Sequence, residues 1–219
     1  MSDTLTLSSL PLFPLGTVLY PGGLLPLRIF EVRYLDMIGK CHKTGAPFGV
    51  VALTEGSEVR KADTAQSGSD GFALEQFNAV GTLATITDFS SPQPGLMVVR
   101  CEGAQRFKIN NREKLKHGLW IADVERQPID MPVNIPEDLQ SCADALGKLI
   151  KTLQQRGVAA DQMPVLAPYL LDDCGWVANR WSELLPIPLE LKQRLMELDN
   201  PVVRLELISD ILERTGIAF

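Results

Sequence analysis

The chain has 219 residues, of which 45% are hydrophobic and 22% charged, and a formal net charge of −6. A chain of this length buries a core without disulfide or metal staples and holds no run near the ~18–20 apolar residues that span a bilayer, and its acidity counts against nucleic acid as the main partner. The opening MSDTLTLSS lacks the basic and apolar regions of a secretory signal, so a cytoplasmic protein with no membrane partner is expected.

The charge is unevenly placed. Residues 1–127 hold 13 Lys and Arg against 13 Asp and Glu, whereas residues 128–219 hold 8 against 14, so the deficit lies entirely in the C-terminal part. A basic run of Arg100, Arg106, Lys108, Arg112, Lys114 and Lys116 is opposed by Glu102 and Glu113; it reads as a solvated strand and turn, with phosphate binding as the alternative. Cys41, Cys101, Cys142 and Cys174 form no CxxC, which predicts buried free thiols and neither a zinc site nor a disulfide framework.

Taken in order, Leu5–Leu7 reads as an edge strand, followed by paired strands at Leu10–Phe13 and Thr17–Tyr20. Prolines at 11, 14, 21 and 26 forbid a helix before Phe30, because each removes a backbone donor and pushes its predecessor toward extended geometry. Tyr20-Pro21-Gly22-Gly23 has turn chemistry, and Leu24–Ile29 is another extended run. Tyr34, Leu35 and Ile38 recur at helical spacing in Glu31–Lys43, which Gly45 and Pro47 end. Phe48–Leu53 is a β-branched strand, and the polar Thr54–Phe77 reads as a long surface loop, mobile at Gln66–Asp70. Strands return at Ala79–Asp88, Leu96–Ile109 and Leu119–Glu125; Glu102-Gly103-Ala104 predicts a bend or bulge in the long one. Six or seven short strands with one inserted helix suit a small barrel better than a parallel sheet.

Pro128–Pro136 changes the character of the chain, with three prolines in nine residues making a stiff connector. Helical period follows. Glu137–Arg156 aligns Leu139, Cys142, Leu146, Leu149, Ile150 and Leu153, and Gly157 stops it. Met163–Leu171 is broken by prolines, Asp172–Leu185 carries Trp176 and Trp181, and Leu189–Leu198 and Pro201–Arg214 complete four or five helices. Asn200 is the expected N-cap of the last, with Pro201 at its first position.

No catalytic constellation emerges. His42 follows Cys41 directly, but neighbours on a helix point about 100° apart and make no dyad, leaving a thiol hydrolase as a remote reading. There is no GxSxG, HExxH or phosphate-binding loop: Gly39-Lys40 and Gly147-Lys148 lie inside helical patterns. Asp172 and Asp173 stand at a helix start, where carboxylates favour the dipole. Arg28, Glu31 and Arg33 mark the passage from strand to helix, as an ion pair or cap, or as a polar rim for a partner. Neither metal nor cofactor is called for.

The segments LPLFPLGTVLYPGGLLPLRIFEVRYLDMI at 10–38, VGTLATI at 80–86, PGLMVVRCEGAQRFKI at 94–109 and LELKQRLMELDNPVVRLELISDIL at 189–212 are specific enough, jointly and in order, to name a family. The whole chain resembles the Lon N-terminal domain family, the substrate-recognition module that precedes the ATPase and protease parts of Lon and also exists alone in bacteria. Val32 departs from the proline frequent in the pattern IFE-x-RY, loosening the helix start. The resemblance implies an α+β chain in which a PUA-like β-barrel (1–127) with an inserted helix leads through a connector (128–136) to a helical bundle (137–219). It implies binding of exposed or unfolded polypeptide, not catalysis: the chain reads as a stand-alone member lacking the ATPase and peptidase parts, with no catalytic residue to carry over.

A non-enzymatic polypeptide-binding module is therefore the first expectation, using the opening strands and the helix after them, by groove contacts or strand addition, with the 54–78 loop as a lid. Tyr20, Leu24 and Tyr34 are its expected exposed anchors, and Phe77 and Phe89 those of the loop side. An RNA-binding PUA-like protein using Arg106–Lys116 is the alternative, which the acidity disfavours. Self-association into a homo-oligomer is left open.

Overall fold

Alternation along the strands, more than any single residue, organises the β part. In the computed structural model, which describes residues 5–56 and 75–216, β1 (Thr6–Leu15), β3 (Phe48–Glu55) and β5 (Val80–Gln93) each send successive side chains to opposite sides. Leu12, Val51 and Leu83 join one buried cluster with Phe107 and Val124, while their neighbours Phe13, Val50 and Ala84 join another. Both faces are covered, which is why these strands read as near-continuous apolar runs.

The second cluster lies under α1 (Val32–Thr44), whose Tyr34, Met37, Ile38 and Cys41 recur at helical spacing and are buried in it. Gly45, at φ 68°, ends the helix in the left-handed conformation that glycine adopts without a Cβ penalty.

β2 (Leu24–Ile29), β4 (Gln76–Phe77), β6 (Leu96–Lys114) and β7 (Trp120–Arg126) complete a seven-stranded sheet of order β1-β7-β6-β5-β3-β4, with β2 on β6. The pairs β1–β7, β7–β6, β6–β5, β5–β3 and β3–β4 are antiparallel, whereas β1 and β3 pair in parallel from Leu12–Gly49 to Leu15–Ala52. The chain is thus a mixed α and β protein with an essentially antiparallel sheet.

Several expectations change. Of the expected Leu5–Leu7, Thr6 and Leu7 join Leu10–Phe13 in one strand interrupted by a bulge, where Ser9 takes φ 53° and its amide donates to Asp123 Oδ1 at 3.0 Å. Thr17–Tyr20 is not a strand: Val18, Leu19 and Tyr20 are buried but irregular. Thr82 Oγ1 donates to the Leu19 carbonyl at 2.6 Å, satisfying a backbone group that a ladder would otherwise take. The expected irregularity at Glu102-Gly103-Ala104 is a register shift within a continuous β6, since Thr82 pairs with Arg106 and Ala84 with Gly103. Gly103 is required there, because a Cβ would stand 2.1 Å from the Tyr20 carbonyl oxygen. The loop expected over Thr54–Phe77 yields at both ends to β3 and β4; residues 57–74, including the expected mobile Gln66–Asp70 and the body of the proposed lid, lie outside the described residues.

By internal contacts the chain divides into two compact units, Met1–Pro21 with Leu25–Gln127, and Gly22–Leu24 with Pro128–Phe219. The second unit holds α2 (Gln140–Gln155), α3 (Cys174–Leu184), α4 (Leu189–Glu197) and α5 (Pro201–Thr215), packed on a core that includes Leu146, Trp181, Leu195 and Leu205. Asp173 caps α3 by accepting from Trp176 N at 2.7 Å, and Asn200 caps α5 by accepting from Val202 N at 3.0 Å. Trp181 is a core residue whose Nε1 donates to the Cys142 carbonyl. No helix among the described residues is long and apolar enough to cross a membrane.

Candidate functional site

Where β2 passes into α1, a half-open groove of about 200 Å³ cuts into the β unit. β1 supplies Phe13 and Leu15 to it, β2 supplies Pro26 to Ile29, the junction supplies Phe30 and Glu31, and α1 supplies Tyr34. Tyr34 stacks on Phe13 with centroids 3.9 Å apart and forms an aromatic floor. Phe30 and Val32 beside it are 56% and 74% exposed. Among the described strands β2 pairs with β6, off the path of the sheet, and Pro26, which cannot donate to a ladder, suits an edge.

The start of α1 is pinned from below. Arg33 is buried; its Nε donates to Glu31 at 3.0 Å, Nη2 to Glu75 at 2.9 Å and Nη1 to the Gly118 carbonyl at 2.9 Å. Residues two apart on a helix do not face each other, but Glu31 is the N-cap and still extended at ψ 131°, which turns its carboxylate back onto Arg33. Glu75 also accepts from Trp120 Nε1 at 2.9 Å, with Lys114 Nζ at 4.0 Å. Burial works against the Arg33 charge, but the hydrogen bond to Glu75 and the surrounding Tyr34, Glu75 and Glu31 groups outweigh it and hold the guanidinium above its ordinary pKa. Of the two readings of Glu31 and Arg33, the ion pair is the one observed, whereas Arg28 stays exposed on the groove rim.

The family model of the ATP-dependent protease La (LON) substrate-binding domain matches residues 9–214. The chain belongs to that family. It is similar to a Lon N-terminal domain protein of Xanthomonas campestris, whose crystal structure is 29% identical over 93% of this chain and 98% of that one, with a TM-score of 0.69. The N-terminal domain of the Mycobacterium avium complex Lon protease is 15% identical over 92% of this chain and 96% of that one; its TM-score of 0.56 is a likeness of fold. No curated protein matches the chain.

Within this substrate-binding fold, three of the five residues expected as exposed anchors are buried. Tyr20 is fully buried and Tyr34 is 2% exposed, so both correct the expectation of protruding anchors; Tyr34 reaches the groove only as its floor. Phe77 is buried too, edge-on to Trp120 at 5.3 Å and covered by the Arg112 guanidinium 4.5 Å from its ring. Leu24 and Phe89 are half-buried, Phe89 stacking on His42 at 4.2 Å. Sequence reasoning missed Phe30, Val32 and Glu75. Val32 carried a usable signal, because at ~100° per residue it stands about 200° from Tyr34 on the helix, off the buried stripe.

Other chemistry is weakly supported. All four cysteines are buried free thiols, and burial raises Cys41, so it is a poor nucleophile at neutral pH. The basic run is largely engaged: Arg106 is buried, Arg112 lies over Phe77 and Trp120, and Lys114 approaches Glu75 and the Trp120 ring. Among the described residues no three His, Cys, Asp or Glu side chains are placed to hold a metal ion.

Proposed function

We propose that the protein is a non-catalytic polypeptide-binding module of the cytoplasm, whose β2–α1 groove takes apolar side chains of exposed or unfolded chains. The observation that carries this is the pairing of an open, aromatic-floored groove with exposed Phe30 and Val32 in a substrate-binding family. Full burial of such a side chain is worth about 1.5–3 kcal/mol, and a partner that covers the exposed part of Phe30 and Val32 recovers the corresponding share. In this reading the chain itself neither hydrolyses ATP nor cleaves peptides. Residues 1–127 act as a PUA-like barrel, supported by pairings β1–β7–β6–β5–β3–β1 that return to their start, and 137–219 as a helical bundle beyond the 128–136 connector.

A photo-crosslinking residue in place of Val32 tests the function. With a reduced and alkylated, permanently unfolded protein offered beside its folded form, adducts are expected with the unfolded form alone. Equal labelling of both overturns the proposal. Adducts with a second copy of this chain in place of the unfolded protein would make the surface a self-association interface.

A further inference from the structure

Resting on that reading of the groove, we infer that its preferred segments carry an acidic side chain within two residues of the apolar anchor, and that Arg28 reads it. The charges around the groove lead to this. Glu31 and Arg28 are the charged residues that line it. Glu31 is matched by Arg33, whose second carboxylate, Glu75, also has Lys114 at 4.0 Å. Among the described residues these two acids and two bases offset one another, and Arg28 is the groove-lining charge that no ion pair answers. Arg28 is exposed and engages no hydrogen bond or ion pair among the described residues, so its guanidinium remains available to a ligand. Arg28 and the Phe13–Tyr34 floor line the same groove of about 200 Å³, and an extended chain advances ~3.3 Å per residue, which is why the acid is assigned to a position one or two residues from the anchor. The guanidinium fork suits a carboxylate bidentately.

The plainer account of Arg28 is a solubilising charge that blunts an edge strand, and the two accounts differ in what a peptide's own charge does. Fluorescence anisotropy with the full chain separates them, using Gly/Ser dodecapeptides bearing a central Phe-Leu pair and, two positions away, Glu, Gln or Lys. At about 50 mM salt the Glu peptide is expected to bind roughly two- to fivefold tighter than the Gln peptide, and the Lys peptide weaker than both, with the spread shrinking as salt rises. Arg28→Gln should equalise the three and Arg28→Glu should invert their order, with circular dichroism unchanged. Equal binding of all three to the native chain, or a Glu preference that survives Arg28→Gln, overturns the inference while the groove reading stands, provided Phe30→Ser weakens every peptide. If none binds better than a control with Ser-Ser in place of Phe-Leu, the groove reading fails and this inference with it.

Discussion

Removing Arg33 should cost the β unit a large part of its stability, because it strands a buried carboxylate. The side chains of Arg33 and Glu75 are 4% and 5% exposed. In Arg33→Met, Glu75 keeps the Trp120 Nε1 donor at 2.9 Å and a lysine at 4.0 Å but loses the guanidinium, and the Gly118 carbonyl loses its donor. Breaking a buried pair from one side costs about 3–5 kcal/mol, against the ~5–15 kcal/mol by which a typical domain is stable. In Arg33→Met with Glu75→Met the Gly118 acceptor is unmet as in the single variant, and the unmet Trp120 donor at ~1–3 kcal/mol stands in place of the stranded carboxylate. Urea unfolding of the two single variants and the double variant measures this directly. A double variant less destabilised than Arg33→Met alone is expected. If Arg33→Met costs under ~1 kcal/mol, or if the losses simply add, the ion pair does not pin the helix start as argued.

Three further outcomes follow from other parts of the molecule. Gly103→Ala places a Cβ 2.1 Å from the Tyr20 carbonyl oxygen, so a loss of about 1–3 kcal/mol in thermal or urea unfolding is expected, and an unchanged midpoint would show that the irregular segment yields freely. Burial, with Cys41 nearby, pushes the Cys101 thiol from 9.0 up to about 12. Between those values the unfolded chain releases a proton that the folded chain keeps, so stability falls as pH rises, by up to ~1.4 kcal/mol per unit; Cys101→Ala should show a shallower decline over the same range, and parallel curves would remove the assignment. Asn200→Ala deletes the acceptor for Val202 N and Val203 N at the start of α5, for an expected loss of about 1 kcal/mol that Asn200→Asp largely restores.

The sequence by itself determined what depends on neighbours along the chain. The α1 stripe of Tyr34 and Ile38, its stop at Gly45, and the Asn200-Pro201 start of α5 are local consequences of side-chain spacing, backbone freedom and capping, and each stands where the pattern placed it. The family was legible too, because ordered motifs from the first strands to the last helix carry it together. Tertiary structure alone decided which apolar side chains stay in water. Tyr20, Tyr34 and Phe77 differ little in kind from Phe30, yet the first three are covered by residues far away in sequence: Gly103 opens room beside Tyr20, Phe13 stacks on Tyr34, and Arg112 with Trp120 covers Phe77. Thr17–Tyr20 likewise looked like a strand until Thr82 reached across to satisfy its backbone. Burial is a sum over long-range contacts that local periodicity does not encode, so a pattern that identifies a helix face leaves open what covers it.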